Sequence, residues 1–167
     1  RDITVAARNM TDYEGTIETV FERYSIPAYL SRRSSMLEKP VWSLITGVLS
    51  ALENGLEYED MFRWLKTGLA GLMPEECDEL ENYVLTWEIH GKMWLRDVDW
   101  TDNPDGYGAP WDKRRQARLD RVNELRRRVR APLAELYEGL KAGVTAGEKV
   151  NSLYSFLEHL NLQNALE

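Results

Sequence analysis

The sequence predicts a mainly α protein: a helical bundle-like body preceded by a small βαβ edge of two parallel strands. Three observations carry that reading. Beyond residue 39, apolar residues recur at the three- and four-residue spacing that lines one helix face. Helix starts and stops recur along the same stretch, as Pro40, Asn54-Gly55, Thr67-Gly68, Pro74, His90-Gly91, Pro132 and Thr145-x-x-Glu148. The first thirty residues instead set two short apolar runs around a single helical stripe. The expected division is residues 1–38 for the βαβ edge and 39–167 for the helical body.

Ile3-Thr4-Val5-Ala6-Ala7 is short, apolar and partly β-branched, as a buried strand is. Thr11 or Asp12 caps a helix whose Ile17, Val20, Phe21 and Tyr24 share a face. Ser25-Ile26-Pro27 ends it, and Ala28-Tyr29-Leu30 forms the second strand. A strand, a helix and a strand within thirty residues predict a parallel pairing of 3–7 with 27–30 and a right-handed crossover. Two strands are too few to stand alone, so the unit reads as the edge of a larger sheet. The chain opens on Arg1 and enters this strand at once, which reads as a piece of a longer polypeptide.

Pro40 opens a helix with Val41, Leu44, Ile45, Val48, Leu49 and Leu52 as its stripe, and Asn54-Gly55 stops it. Tyr58 to Lys66 forms a shorter helix with Met61, Phe62 and Leu65 inward. Pro74 starts the next, with Cys77, Leu80, Val84 and Trp87 on one side. Residues 97–110 carry two Pro and two Gly among Asp and Asn, and form a loop. A basic helix runs from about Trp111 to Arg130, and Pro132 begins another that buries Leu133, Leu136, Tyr137 and Leu140. The Thr145-x-x-Glu148 capping box opens the last full helix, and a further one is expected from Asn161 onward.

Charge is segregated. The chain carries −7 overall, yet residues 112–130 hold nine basic and three acidic residues. That stretch is therefore +6 on a body of −13. Arg114, Arg118 and Arg121 lie at i, i+4 and i+7, with Arg128 two turns on, beside a stripe of Leu119, Val122, Leu125 and Val129. These four arginines are the candidate nucleic-acid-binding residues. The alternative is that they pair with acidic helices of the same chain, such as the 75–81 segment.

The usual catalytic motifs are missing. There is no Gly-rich phosphate loop, no His-Glu-x-x-His and no Gly-x-Ser-x-Gly. One cysteine, Cys77, excludes an internal disulfide and a zinc site built on paired thiolates. No catalytic residue and no metal ligand is assigned. Six tryptophans, at 42, 64, 87, 94, 100 and 111, serve mostly as packing, with Trp100 or Trp111 a candidate base-stacking residue beside the basic helix. No apolar run reaches the ~20 residues of a membrane span. A reducing, cytoplasmic setting is the expectation.

The sequence also carries a resemblance. Phe62-Arg63-Trp64-Leu65-Lys66-Thr67-Gly68-Leu69, then Leu80-Glu81-Asn82-Tyr83, then Ile89-His90-Gly91-Lys92 and Trp94, resemble the B subunit of AddAB-type helicase–nucleases. The opening Asp2-Ile3-Thr4-Val5-Ala6-Ala7-Arg8, with Ile26-Pro27 after a helix, is similar to the start of the second motor domain of superfamily 1 helicases. Phe156-Leu157-Glu158-His159-Leu160 continues the similarity, which covers nearly the whole chain. It implies that residues 1–38 are the edge of a helicase-like α/β domain and 39–167 its helical insertion. Asn82, a poor helix former within a helix, is expected to hydrogen-bond a neighbouring loop.

The resemblance also implies a role: a non-catalytic structural and DNA-channel segment of a protein acting in double-strand-break repair by homologous recombination. The parent is expected to pair with an A-type motor-nuclease subunit as a heterodimer, to act on DNA, and to use ATP, magnesium and a 4Fe-4S cluster. The phosphate loop and the cluster cysteines of that family lie outside the matched region, so this chain needs no cofactor of its own. Arg8 matches the helicase arginine that approaches nucleotide phosphates and is the candidate nucleotide-binding residue. The competing reading is a helical protein–protein interaction module with no nucleic-acid role.

Overall fold

The computed structural model describes residues 3–10, 12–30 and 39–162. The chain divides into two compact units, residues 1–35 and 36–167. Helix dominates, and the described residues contain no strand.

In the first unit, α1 spans Glu14–Arg23 and buries no residue. Ser25, at φ 52°, closes it: the Ser25 N–H donates to the Glu22 carbonyl and the Ile26 N–H reaches back to Phe21 at 2.8 Å. The stop expected at Ser25-Ile26-Pro27 is thus present, but the two strands are not. Residues 3–7 and 26–30 have no regular structure, and Ile3 is 90% exposed. The physical reason is the one that made two strands insufficient. A lone parallel pair leaves both faces open and buries too little apolar surface to offset the entropy of ordering it. Thr11 lies outside the described residues, as does the junction at 31–38.

Among the described residues, the second unit holds α2 (Pro40–Glu53), α3 (Tyr58–Leu65), α4 (Pro74–Thr86), α5 (Lys113–Ala142) and α6 (Ala146–His159), with a 3-10 turn at Gly91–Met93. Helix α2 packs on α3, α5 on both α4 and α6, and α3 touches α4. Pro40 and Pro74 each occupy the first turn of their helix, where a missing N–H costs nothing. Gly55, at φ 86°, lets the Leu56 N–H turn back to the Ala51 carbonyl at 2.6 Å and end α2. The Thr145–Glu148 capping box forms as expected, with the Glu148 carboxylate accepting from the Thr145 N–H at 2.9 Å. The expected helix beyond Asn161 falls mostly outside the described residues.

The core is one cluster centred on Trp64, Trp94, Tyr83, Leu125 and Phe156, all fully buried. Gly47 permits the tight α2–α3 contact, since a Cβ there would lie 2.9 Å from the Trp64 Cβ. Trp94 folds back as the turn at Gly91 suggests, edge-on to Phe62 at 6.2 Å and to Trp100 at 5.6 Å.

One helix boundary differs from expectation. Pro132 does not start a new helix; α5 runs unbroken through it for 30 residues. The proline removes the N–H that would bond the Arg128 carbonyl. Burial overrides that loss, because Val122, Leu125, Val129, Leu133 and Leu136 form one inward stripe continuous across the proline.

Candidate nucleic-acid interface

Helix α5 displays the basic residues, and its start is fixed by Asp112. The Asp112 carboxylate accepts the Arg115 N–H at 2.8 Å, as an N-cap does. That hydrogen bond, with the Arg115 charge beside it, holds the Asp112 carboxyl below the usual range. From this end the four candidate arginines divide into different surroundings.

Arg121 and Arg128 converge on one carboxylate. Glu76 Oε1, in the first turn of α4, accepts from Arg121 Nη2 at 2.6 Å and from Arg128 Nη1 at 3.0 Å. Its Oε2 accepts the Met73 N–H at 3.0 Å and so closes the α4 N-terminus. The side chain is only 16% exposed. The Met73 N–H, then Arg128 and Arg121, push its pKa below the ordinary glutamate value. Arg128 also donates to the Gly71 carbonyl.

Arg118 takes another partner. It and Arg115 both bind Asp105 of the 97–110 loop, the latter through Nε at 2.7 Å, and Arg115 first, then Arg118, lower the Asp105 pKa. Arg127 pairs with Asp99 at 2.6 Å and Arg130 with Asp97 at 2.9 Å. Arg114 is exposed and has no ion-pair partner among the described residues. The structure thus gathers Arg121 and Arg128 at Glu76, seats Arg118 on the loop, and leaves Arg114 open. The acidic 75–81 segment, the alternative partner expected from the charge pattern, supplies the Glu76 joint.

Two further residues of α5 hold the loop in place. Asn123 donates to the Trp100 carbonyl at 2.9 Å and accepts the Trp100 N–H at 2.8 Å, giving a buried backbone segment both its bonds. Arg126 is 1% exposed, donates to the Met93 and Arg96 carbonyls, and lies 4.9 Å from the Trp100 ring centre. Burial away from any carboxylate contact lowers its pKa. Motifs in the sequence single out neither residue. A weaker signal is present, because Asn123 and Arg126 stand on the apolar stripe of α5, where a polar residue needs a buried partner.

Trp100 is itself enclosed, stacked on Tyr83 at 5.2 Å with an interplanar angle of 8°, and is unavailable to a base. Asn82 is exposed and its side chain makes no hydrogen bond among the described residues; its neighbours hold the loop instead. Tyr83 Oη donates to the Asp102 carbonyl at 3.1 Å and Trp87 Nε1 to the Asn103 carbonyl at 3.0 Å. Lys66 ends α3 and pairs with Glu81 at 2.7 Å.

Known proteins contain a segment similar to this sequence. The chain is 34% identical over 167 residues to the B subunit of the ATP-dependent helicase/deoxyribonuclease of Clostridium novyi. It is 36% identical over 170 residues to that of Acetivibrio thermocellus, and 32% over 177 residues to that of Desulforudis audaxviator. Each match takes in the whole of this chain. The chain is homologous to a segment of these B subunits. It spans 14–15% of their length. No protein-family profile matches it.

Arg8 is exposed, in a stretch without regular structure, and has no partner among the described residues. The donor set does not fit a four-iron cluster. Cys77 is the one cysteine, it is buried, and burial raises its thiol pKa. Among the described residues no three His, Cys, Asp or Glu side chains are grouped to hold a metal ion. No helix among them is long and apolar enough to cross a membrane.

Proposed function

We propose that this chain is a non-catalytic scaffold segment of a helicase/deoxyribonuclease B subunit that processes DNA ends for recombinational repair beside an A-type motor-nuclease subunit. The observation that carries the scaffold role is the Glu76 joint, where one carboxylate caps α4 and receives Arg121 and Arg128 of α5. Arg115 and Arg118 brace the loop in the same manner through Asp105. On this reading most of the basic face of α5 is a strut. The contribution of the helix to a DNA channel is confined to its first turn, where Arg114 is open. In the whole protein, ATP, magnesium and an iron–sulfur cluster would be held by other regions.

Thermal melting and DNA titration of two variants test the assignment. Changing Arg118, Arg121 and Arg128 together to Ala should lower the melting temperature by several degrees. Arg114→Ala should leave melting unchanged and weaken DNA binding. A triple variant that melts like the parent while losing DNA affinity rejects the strut and restores the four arginines as a phosphate track.

A further inference from the structure

We propose that the junction between the 97–110 loop and α5 carries a base-stacking site for single-stranded DNA, formed by Tyr107 and Trp111 with Lys113 and Arg114 as its phosphate-binding cations. The loop is held rigidly. Asn103 Nδ2 donates to the Ala109 carbonyl at 3.0 Å, its Oδ1 accepts the Asp105 N–H at 3.0 Å, and Tyr83 and Trp87 donate to the Asp102 and Asn103 carbonyls of the same loop. Gly106 and Gly108, at φ 91° and 77°, form the tip and hold Tyr107 between them. This ordered frame presents a tyrosine that is 99% exposed and a tryptophan that is 52% exposed.

Tyr107 is almost wholly open to solvent, and Trp111 is half-covered but leaves about half of its surface free. Trp111 sits just before the α5 cap, where an apolar side chain ordinarily staples onto the fourth helical residue. That residue is Gln116, which spends its amide on Asp120 instead. Trp111 and Tyr107 take part in no ring pair and no side-chain hydrogen bond with the described residues.

Charge decides between occupants. Asp105 and Asp112 are neutralised by Arg115 and Arg118, so they do not repel a phosphate. Lys113 and Arg114 have no ion-pair partner among the described residues. The balance at the junction is positive on an otherwise acidic chain. Among the described residues the two rings form no aromatic pair with one another, so each face is open to a separate base. A nucleobase needs only one ring face, and a phosphate one cation. The site rests on the proposed place of the segment in a DNA-processing subunit, and goes beyond it by naming strand type and binding mode.

The test uses the full chain with a fluorescein-labelled twenty-nucleotide oligothymidine and an abasic oligonucleotide of the same length, read by anisotropy at low salt. Trp111→Ala and Tyr107→Ala should each weaken oligothymidine binding about tenfold while leaving the abasic strand unchanged. Arg114→Gln should weaken both. Tyr107 touches little, so its variant keeps the fold even if Trp111→Ala does not. The proposal is overturned if both aromatic variants bind oligothymidine like the parent, which would leave the rings to a protein partner, or if they weaken both strands equally. The scaffold reading fails separately, on the melting of the arginine triple variant.

Discussion

Glu76→Gln changes one atom at the joint between α4 and α5 and keeps the shape of the side chain. The carboxylate has acceptors on both sides: Oε1 toward Arg121 and Arg128, Oε2 toward the Met73 N–H. Glutamine has one acceptor and one donor, so whichever way the amide turns, an NH2 faces an N–H. If it faces Met73, α4 loses its reach-back cap; if it faces the guanidinium groups, two charge-assisted bonds go. Either loss, discounted for partial solvent exposure, costs about 1–2 kcal/mol. For a unit of this size that is a fall in melting temperature of roughly 3–8 °C. Glu75→Gln, exposed on the next position of the same turn, is the control and should move melting by about a degree or two at most. The sign of the pH dependence follows from the lowered pKa of Glu76. A carboxylate depressed in the fold contributes stability above its unfolded pKa and loses it as pH falls through the folded value. The gap between parent and Glu76→Gln should therefore be full at neutral pH and close in acid, below the ordinary glutamate pKa. Calorimetry across that range is the assay. A variant that melts like the parent at neutral pH, or a gap that widens in acid, refutes the joint.

Asn123→Leu should destabilise by about 2–4 kcal/mol, because the Trp100 N–H and carbonyl stay buried without partners; denaturant unfolding measures it, and a loss under about 1 kcal/mol rejects the bridge. Gly47→Ala should be destabilising by about 1 kcal/mol despite the better helix propensity of alanine, since its Cβ meets the Trp64 Cβ at 2.9 Å; a higher melting temperature would contradict that contact. Tyr83, pushed up to about 12 by burial, should be titrated last by ultraviolet absorbance. Its raised pKa contributes stability that is present below the unfolded tyrosine value and lost as pH rises toward 12, and Tyr83→Phe should abolish that alkaline phase.

Much of the helical body was legible from the sequence because its signals are local. Pro40, Pro74, Asn54-Gly55 and Thr145-x-x-Glu148 act within a turn of themselves, and the structure places helix ends at each. The B-subunit resemblance was also readable, since it rests on short contiguous runs such as Leu65-Lys66-Thr67-Gly68-Leu69, and the relatives align with the whole chain. Pro132 shows where local rules lose: a breaker that costs one hydrogen bond is outweighed by an inward stripe buried on either side of it.

The sequence by itself determined where most helices start and stop, which faces are apolar, and that nine cations crowd one nineteen-residue stretch; that α5 runs on through Pro132 was decided by burial on either side of it. Only the tertiary structure decided what those cations do. Helical spacing says that Arg114, Arg118, Arg121 and Arg128 project from one region of α5, but a pairing depends on which carboxylates other elements bring within hydrogen-bond reach. Glu76 is 45 residues from Arg121 and 52 from Arg128, and Asp105 is 13 from Arg118. Such separations carry no periodic signal. The same holds for the βαβ edge: its residues have strand propensity, but a strand exists only where neighbours supply a ladder and a covered face, and the described residues supply neither.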